Sequence, residues 1–307
     1  MSLTALGLLL IAAICHAAWN LLLKTAGEKH IATWLALLVA SAGALPLLLT
    51  DLQSNEPSLS LRVWPYALSS AVCEAAYYAT LATAYRDGDF SLVYPLARGT
   101  APALLMVWSL AWLGETPRLG GLLGIAVVLL GLMVLGGSNV WQKRQGAQHR
   151  THGPLSGERL SLSRSLNSGS IGLSLLVALF ISLYSAIDGA AVKHFHPVPY
   201  TALIFVLTTI LLTPFMLTKY PAALLLAHAR RHWLPISSVG ILSPVAYGLV
   251  LNAYAISPVS YAGAVREVSI VFGALAGWLW LGEEFGAIRT AGALLVFSGI
   301  FVIAIFG

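Results

Sequence analysis

Apolar runs follow one another along this chain with short polar breaks between them, each near the ~20 residues that carry a helix across a bilayer core. They occupy 3–24, 31–50, 64–86, 90–112 and 119–137, and then 170–193, 199–219, 233–256, 258–281 and 287–306. Alternating-apolar strands of about ten residues, the mark of a membrane barrel, are absent. The runs are rich in Leu and Ala, which favour helix. The pattern predicts an all-α membrane protein with ten transmembrane helices.

The one long polar stretch, 138–169, carries Gly, Ser, His and basic residues with Glu158 as its single acid, and reads as a flexible linker between units 1–137 and 170–307. A register shift of 168 residues superposes the two units: Arg98 falls on Arg266, Trp112 on Trp280, Gly114 on Gly282, Glu115 on Glu283, Gly124 on Gly292 and Gly131 on Gly299. The chain is therefore an internal duplication. Because five spans is an odd number, the second copy enters the membrane upside down. This predicts two inverted five-helix repeats about a pseudo-twofold axis in the membrane plane, an arrangement that places binding sites near the midplane.

Composition agrees with this picture, with 58% hydrophobic and 9% charged residues against roughly half and roughly a quarter in soluble domains. Lys24, Lys29, Arg86, Lys143, Arg144, Arg150, Arg159, Arg164, Lys219, Arg230, Arg231 and Arg289 fall on one side of the predicted membrane, and Arg62, Arg118 and Lys193 on the other. Basic residues near span ends accumulate on the cytoplasmic side, so both termini are expected outside the cytoplasm, with the chain in a cell membrane, bacterial and inner. The net charge of +5 thus reports topology rather than nucleic-acid binding. The first run is longer than a signal-peptide core, and a retained span is expected. Cys15 and Cys73 fall inside spans and read as small packing residues.

An ionisable side chain at membrane depth costs at least a few kcal/mol and is a functional candidate by default. Arg98 and Arg266 carry that cost at equivalent positions. Counted at 1.5 Å per residue from opposite faces, they are expected on opposite sides of the midplane, bracketing a cavity. Pro95 and Pro102 flank Arg98, so an opened helix there competes with a simple kink. A guanidinium offers a planar fork of donors suited to carboxylate or phosphate and keeps its proton. A substrate oxyanion is the natural partner; the competing reading is internal pairing of Arg98 with Glu74 and of Arg266 with Glu267 or Asp188.

Glu74, Tyr77, Tyr78, Leu81 and Tyr85 follow helical spacings of three and four, placing an acid and several phenols on one face. Tyr94 precedes Arg98 by four and Tyr184 precedes Asp188 by four, while His16 and Asn20 share a face of the first span. Candidate substrate contacts are accordingly Arg98, Arg266, Glu74, Tyr78, Tyr94, Asp188, Tyr184, His16, Asn20 and Glu267. For Asn20 a plain interhelical hydrogen bond is the preferred reading over ligand contact. Protonation of Glu74, Asp188 or His16 offers a route to proton coupling. Glu115 and Glu283 end equivalent spans and read as structural posts at the interface. His194 and His196 adjoin no Cys, Asp or Glu cluster, so no metal site or cofactor is expected.

The segments HAAWNLLLK at 16–24, YPLARG at 94–99, LGE at 113–115 and REVSIVFGALAGWLWLGEE from Arg266 resemble EamA-type carriers of the drug/metabolite transporter superfamily. The resemblance covers nearly the whole chain outside the linker and implies two inverted five-helix halves working by alternating access. Arg98 matches the arginine of the YP-x-x-R-G pattern; the second half departs from it, with Gly263 in place of Pro95 and Glu267 in place of Gly99. The expected function is secondary transport of a small anionic or amphoteric metabolite, amino acid-like and in the export direction. A flippase for a lipid-linked headgroup and a multidrug efflux carrier are the alternatives. An enzyme would need a nucleophile with its base, or a metal cluster, at membrane depth, and the sequence offers neither.

Overall fold

The computed structural model describes residues 1–54, 59–87, 90–149, 168–281 and 287–307; side chains are described except at 24, 82–96, 135–171, 274, 276–287 and 289. The described residues fold as helices α1 (Leu3–Thr25), α2 (Lys29–Leu52), α3 (Trp64–Asp87), α4 (Phe90–Ala111) and α5 (Leu119–His149) in the first half. The second half holds α6 (Ser168–Ala191), α7 (Pro197–Lys219), α8 (Ala222–Arg231), α9 (Trp233–Ile256), α10 (Val259–Arg266), α11 (Val268–Leu281) and α12 (Ala287–Phe306). No strand occurs among the described residues.

Among the described residues five stretches are long and apolar enough to cross a membrane: Leu3–Leu23, Lys29–Leu52, Gly172–Ala191, Pro197–Lys219 and Trp233–Ile256; Leu119–Val134 and Thr290–Phe306 are shorter apolar helices. Ile11, Leu47, Leu123, Met133, Ile210 and Phe301 are among the many large apolar side chains that stand exposed on the outer surface. Water would penalise such a coat, whereas lipid accepts it and requires only that backbone polar groups be bonded internally, as helices do.

Three details depart from expectation. Helix α5 continues to His149, into the stretch expected to be linker, whose remainder at 150–167 lies outside the described residues. The short helix α8 falls between the seventh and eighth apolar runs; Leu225 is buried, Leu224 and Leu226 are exposed, and His228, Arg230 and Arg231 crowd its last turn. The ninth run is not one helix, for α10 stops at Arg266 and α11 begins at Val268. Helix α4, by contrast, runs unbroken past Pro102, as α2, α7 and α9 do past Pro46, Pro214 and Pro244. A proline in a membrane helix frees one carbonyl that neighbouring groups can satisfy, so it marks no break here.

The duplication is visible in how the halves pack. Helices α5 and α12 lie against each other through glycines: a Cβ on Gly124 would stand 2.9 Å from the carbonyl of Gly299, and one on Gly131 would stand 2.8 Å from that of Gly292. The partner numbers fall as the first numbers rise, so the helices are antiparallel. The 168-residue shift takes Gly124 to Gly292 and Gly131 to Gly299, so exchange of the halves turns each contact into the other, the signature of a twofold-related interface. Ser41 of α2 and Thr209 of α7, also 168 apart, meet hydroxyl to hydroxyl at 2.8 Å. Two equivalent residues that touch each other must lie on the pseudo-twofold axis. The halves also interlock: α1 packs on α9 and α11, and its counterpart α6 packs on α3 and α4. The centre of the molecule is thus built from both repeats.

Glycines at α5–α12 let the two backbones approach closely, the usual route to tight packing between membrane helices. Gly124→Ala is expected to cost about 1–3 kcal/mol, because the added methyl meets backbone at 2.9 Å and Ile303 Cγ1 at 2.7 Å. Gly7→Ala, where nothing lies within 4 Å, serves as the control and is expected to be neutral or stabilising. Apparent melting temperatures of the two variants in detergent check this; equal values would contradict the tight crossing.

Candidate functional site

At the centre, α1, α3, α4, α6, α7, α9 and α10 bring buried charge together. Arg98, Arg266, Glu74, Asp188 and Glu267 are buried ionisable groups, and Asp188 and Glu267 are fully inaccessible. Arg98, Glu74 and Asp188 each stand on a different helix, Arg266 ends α10, and Glu267 lies at the break between α10 and α11.

That break has a geometric consequence. Consecutive residues of an α-helix point in different directions and do not meet, yet Arg266 Nη2 lies 3.5 Å from Glu267 Oε1. The Glu267 amide donates back to Ala264 and Val265 in a tightened last turn, and the Glu267 carbonyl accepts from Ile270 at 3.0 Å. Leaving the helix lets both side chains turn to the same place. Arg98, reaching in from α4, sets Nη1 at 3.4 Å from both oxygens of the same carboxylate. One carboxylate therefore lies between two guanidiniums from equivalent positions of the two repeats.

Arg98 and Arg266, expected to bracket a cavity from opposite sides of the midplane, meet across this one carboxylate. Long side chains carry both guanidiniums toward the pseudo-twofold axis, where they share one partner. Internal pairing does occur, and the carboxylate that Arg98 pairs with is Glu267. Glu74 instead accepts from the hydroxyl of Thr208 at 3.0 Å.

Around this core the polar partners are specific. Arg98 Nη2 donates to His16 Nε2 at 2.7 Å; since a guanidinium can only donate, Nε2 is the accepting nitrogen and the ring proton sits on Nδ1. Arg266 Nη1 reaches Ser185 Oγ at 3.4 Å, and Arg266 Nε has no hydrogen-bond partner among the described residues. Asp188 accepts from Tyr200 at 2.8 Å and from Tyr247 on its other oxygen. Asp188 lies within electrostatic reach of both Glu74 and Arg266. The site thus has a cationic pole at Arg98 and Arg266 and an acidic pole at Glu74 and Asp188.

Aromatic rings link the poles. Tyr77 lies 4.9 Å from Tyr78 and 6.1 Å from Tyr184, and Tyr184 lies 6.1 Å edge-on from Tyr247, which in turn meets Phe205 at 6.4 Å. Of the sequence candidates, the structure gathers Arg98, Arg266, Glu267, His16, Glu74, Asp188, Tyr78 and Tyr184 here. Asn20 spends its amide on its own helix, donating to the carbonyl of His16 at 2.7 Å. The Tyr94 side chain lies outside the described residues. Ser185, Tyr200, Thr208 and Tyr247 join the site without having been picked out as candidates; Tyr247 sits one position off the 168-residue register from Tyr78, the one signal that pointed to it.

Two charged side chains pin the turn between α9 and α10. Glu115 accepts from the amides of Val259 and Ser260 and, at 2.6 Å, from the Ser260 hydroxyl, capping α10 at its amino end. Lys193 donates to the carbonyls of Tyr254 at 2.6 Å and Ser257 at 3.1 Å, capping α9 at its carboxyl end. A carboxylate on exposed amides and an ammonium on exposed carbonyls both match the polarity of a helix end. The turn that delivers Arg266 is therefore pinned by one residue from each half. The equivalent Glu283 and Lys24 lie outside the described residues or side chains.

A family model of EamA-like transporters matches residues 3–137 and 168–305, once in each half. A solved structure titled "Crystal structure of protein" has the same fold, with a TM-score of 0.74 and 15% identity over 97% of this chain and 96% of its own. A search among curated proteins finds no relative. Two family matches that between them span both repeats, on a helical body with lipid-facing apolar walls, identify the chain as a member of the EamA-like transporter family, a membrane transporter and not an enzyme.

Proposed function

We propose that the protein is a secondary transporter that exposes the central site alternately to the two sides of a bacterial inner membrane, exporting a small amphoteric metabolite, amino acid-like in its charges. Ten spans in two inverted repeats, 1–137 and 170–307 about the 138–169 segment, with both termini outside the cytoplasm, are part of this reading. The observation that carries it is the pair of guanidiniums converging from equivalent positions beside two further buried carboxylates.

A substrate carboxylate placed at Arg98 and Arg266 gains charge-assisted, fork-shaped hydrogen bonds in a dry site. Its ammonium faces Glu74 and Asp188, while Tyr77, Tyr78, Tyr184 and Tyr247 offer ring faces along the way and can hold a cation by their quadrupoles. A purely cationic drug would meet two fixed guanidiniums, which disfavours a multidrug role. A lipid-linked headgroup would need a lateral opening between helices, and no described feature favours one. Glu74, Asp188 and His16 are the groups through which proton coupling would act.

In liposomes, Arg98→Ala and Arg266→Ala are each expected to cut uptake of a radiolabelled amino-acid mixture by about 100-fold or more, the scale of losing a buried charged contact of ~3 kcal/mol. Lysine at either position should restore little, because a point charge lacks the planar fork. Normal transport by both alanine variants would show that the arginines are structural. Asp188→Asn is expected to weaken competition by amino acids while sparing competition by simple carboxylates such as acetate. Equal loss of both would remove Asp188 from ammonium binding.

A further inference from the structure

Glu267 has no counterpart in the first half, where Gly99 holds the equivalent place, so one repeat supplies an acid that the other lacks. Its carboxylate is fully buried between the two guanidiniums assigned above to the substrate. Yet the fit is loose. The contacts are 3.4 and 3.5 Å, against ~2.7–2.9 Å for well-seated charge-assisted pairs. Arg266 Nε remains a buried donor with no hydrogen-bond partner among the described residues, although such groups are nearly always satisfied in folded proteins.

The position of Glu267 adds to this. It is the one residue between α10 and α11, so its side chain can swing without dismantling a helix. A carboxylate tethered by a short side chain to the residue after Arg266 cannot align with both forks at once. A free carboxylate can. Two carboxylates in the same gap would repel, so the occupants exclude each other.

We propose that Glu267 is a built-in stand-in for the anionic group of the substrate: it neutralises Arg98 and Arg266 when the carrier is empty and is displaced when substrate binds. The proposal rests on the reading that these arginines receive the substrate. Its consequence is a transport mode. Without Glu267 an empty carrier would hold both guanidiniums buried with less opposing charge while the site changes sides, which is costly at membrane depth. Glu267 removes that barrier, so the empty carrier returns and net transport runs. Without it, only the loaded carrier crosses, and the protein becomes an exchanger.

The test uses the full chain in nanodiscs with formate and acetate as probes. Glu267→Ala opens the gap between the guanidiniums. Either carboxylate, at tens of millimolar and against chloride at equal ionic strength, is expected to raise its apparent melting temperature by several degrees, saturably, as ligand binding to the folded state does. Wild type should respond more weakly, because the carboxylate must first displace Glu267, and the double variant R98A/E267A no more than to chloride. Absence of a carboxylate-specific rise in Glu267→Ala, or an equal rise in R98A/E267A, would overturn the proposal. Should Glu267→Ala not fold, Glu267→Gln keeps the volume, removes the charge and is read the same way.

In liposomes, Glu267→Gln should lose net uptake of the radiolabelled amino-acid mixture by on the order of tenfold or more relative to wild type, since at least a few kcal/mol now oppose the empty return, while counterflow into preloaded vesicles persists. Parallel loss of both modes would refute the stand-in role. Failure here leaves the arginine reading intact, because that reading falls only if Arg98→Ala and Arg266→Ala transport normally. If wild type moves no amino acid, the amphoteric substrate class falls and the carboxylate rescue still decides the role of Glu267.

Discussion

A single carboxylate held between two guanidiniums constrains the rest of this molecule. Three charges in a lipid-bound body must be brought together or none can be buried, since an isolated one is costly at membrane depth and removing one partner of a buried pair typically costs about 3–5 kcal/mol. Arg98 comes from the first half, Arg266 and Glu267 from the second. The two repeats are therefore tied to each other at the place where a carrier must also move. The α10–α11 break follows from the same need, because a regular helix would point Arg266 and Glu267 in different directions.

The symmetric frame around that cluster explains why it lies where it does. Equivalent residues that touch, Ser41 with Thr209, and reciprocal glycine crossings at α5 and α12 put the pseudo-twofold axis through the centre of the body. The arginines, equivalent themselves, arrive near that axis from both sides. Exchange of the halves is not perfect, and the imperfections lie at the site: Glu267 stands opposite Gly99, and helix α4 is whole where α10–α11 is broken. Near-symmetry would supply the two similar arrangements that the proposed alternating access needs, and in the proposed reading the asymmetric acid gives the empty site an occupant of its own.

Much of this was legible in the chain. Membrane-length apolar runs, the 168-residue repeat and the paired arginines all rest on patterns that burial in lipid enforces strongly, and Gly124, Gly131 and their partners declared close helix contact. The carboxylate acceptor of Arg98 was not legible, because side-chain pairing across 169 residues depends on the crossing of helices that the sequence leaves open. Nor was the break at Arg266, which has neither proline nor glycine between 264 and 270 to announce it; it is set by where the charges must go. Pro95 and Pro102 pointed to the wrong half, since a membrane helix absorbs a proline more readily than two adjacent charges facing one way. Helix α8 is too short and too basic at its end to register as an apolar run.

The central claim is that one site beside the arginine pair is reached from both sides of the membrane. It is tested most directly by Ser185→Cys, adjoining Arg266, in a background where Cys15 and Cys73 are replaced by Ala. An impermeant thiol reagent is applied in turn to each face of oriented proteoliposomes. The account predicts labelling from either face, slowed in both cases by the same transported solute. Labelling from one face alone under every condition, or labelling that no solute slows, would contradict it.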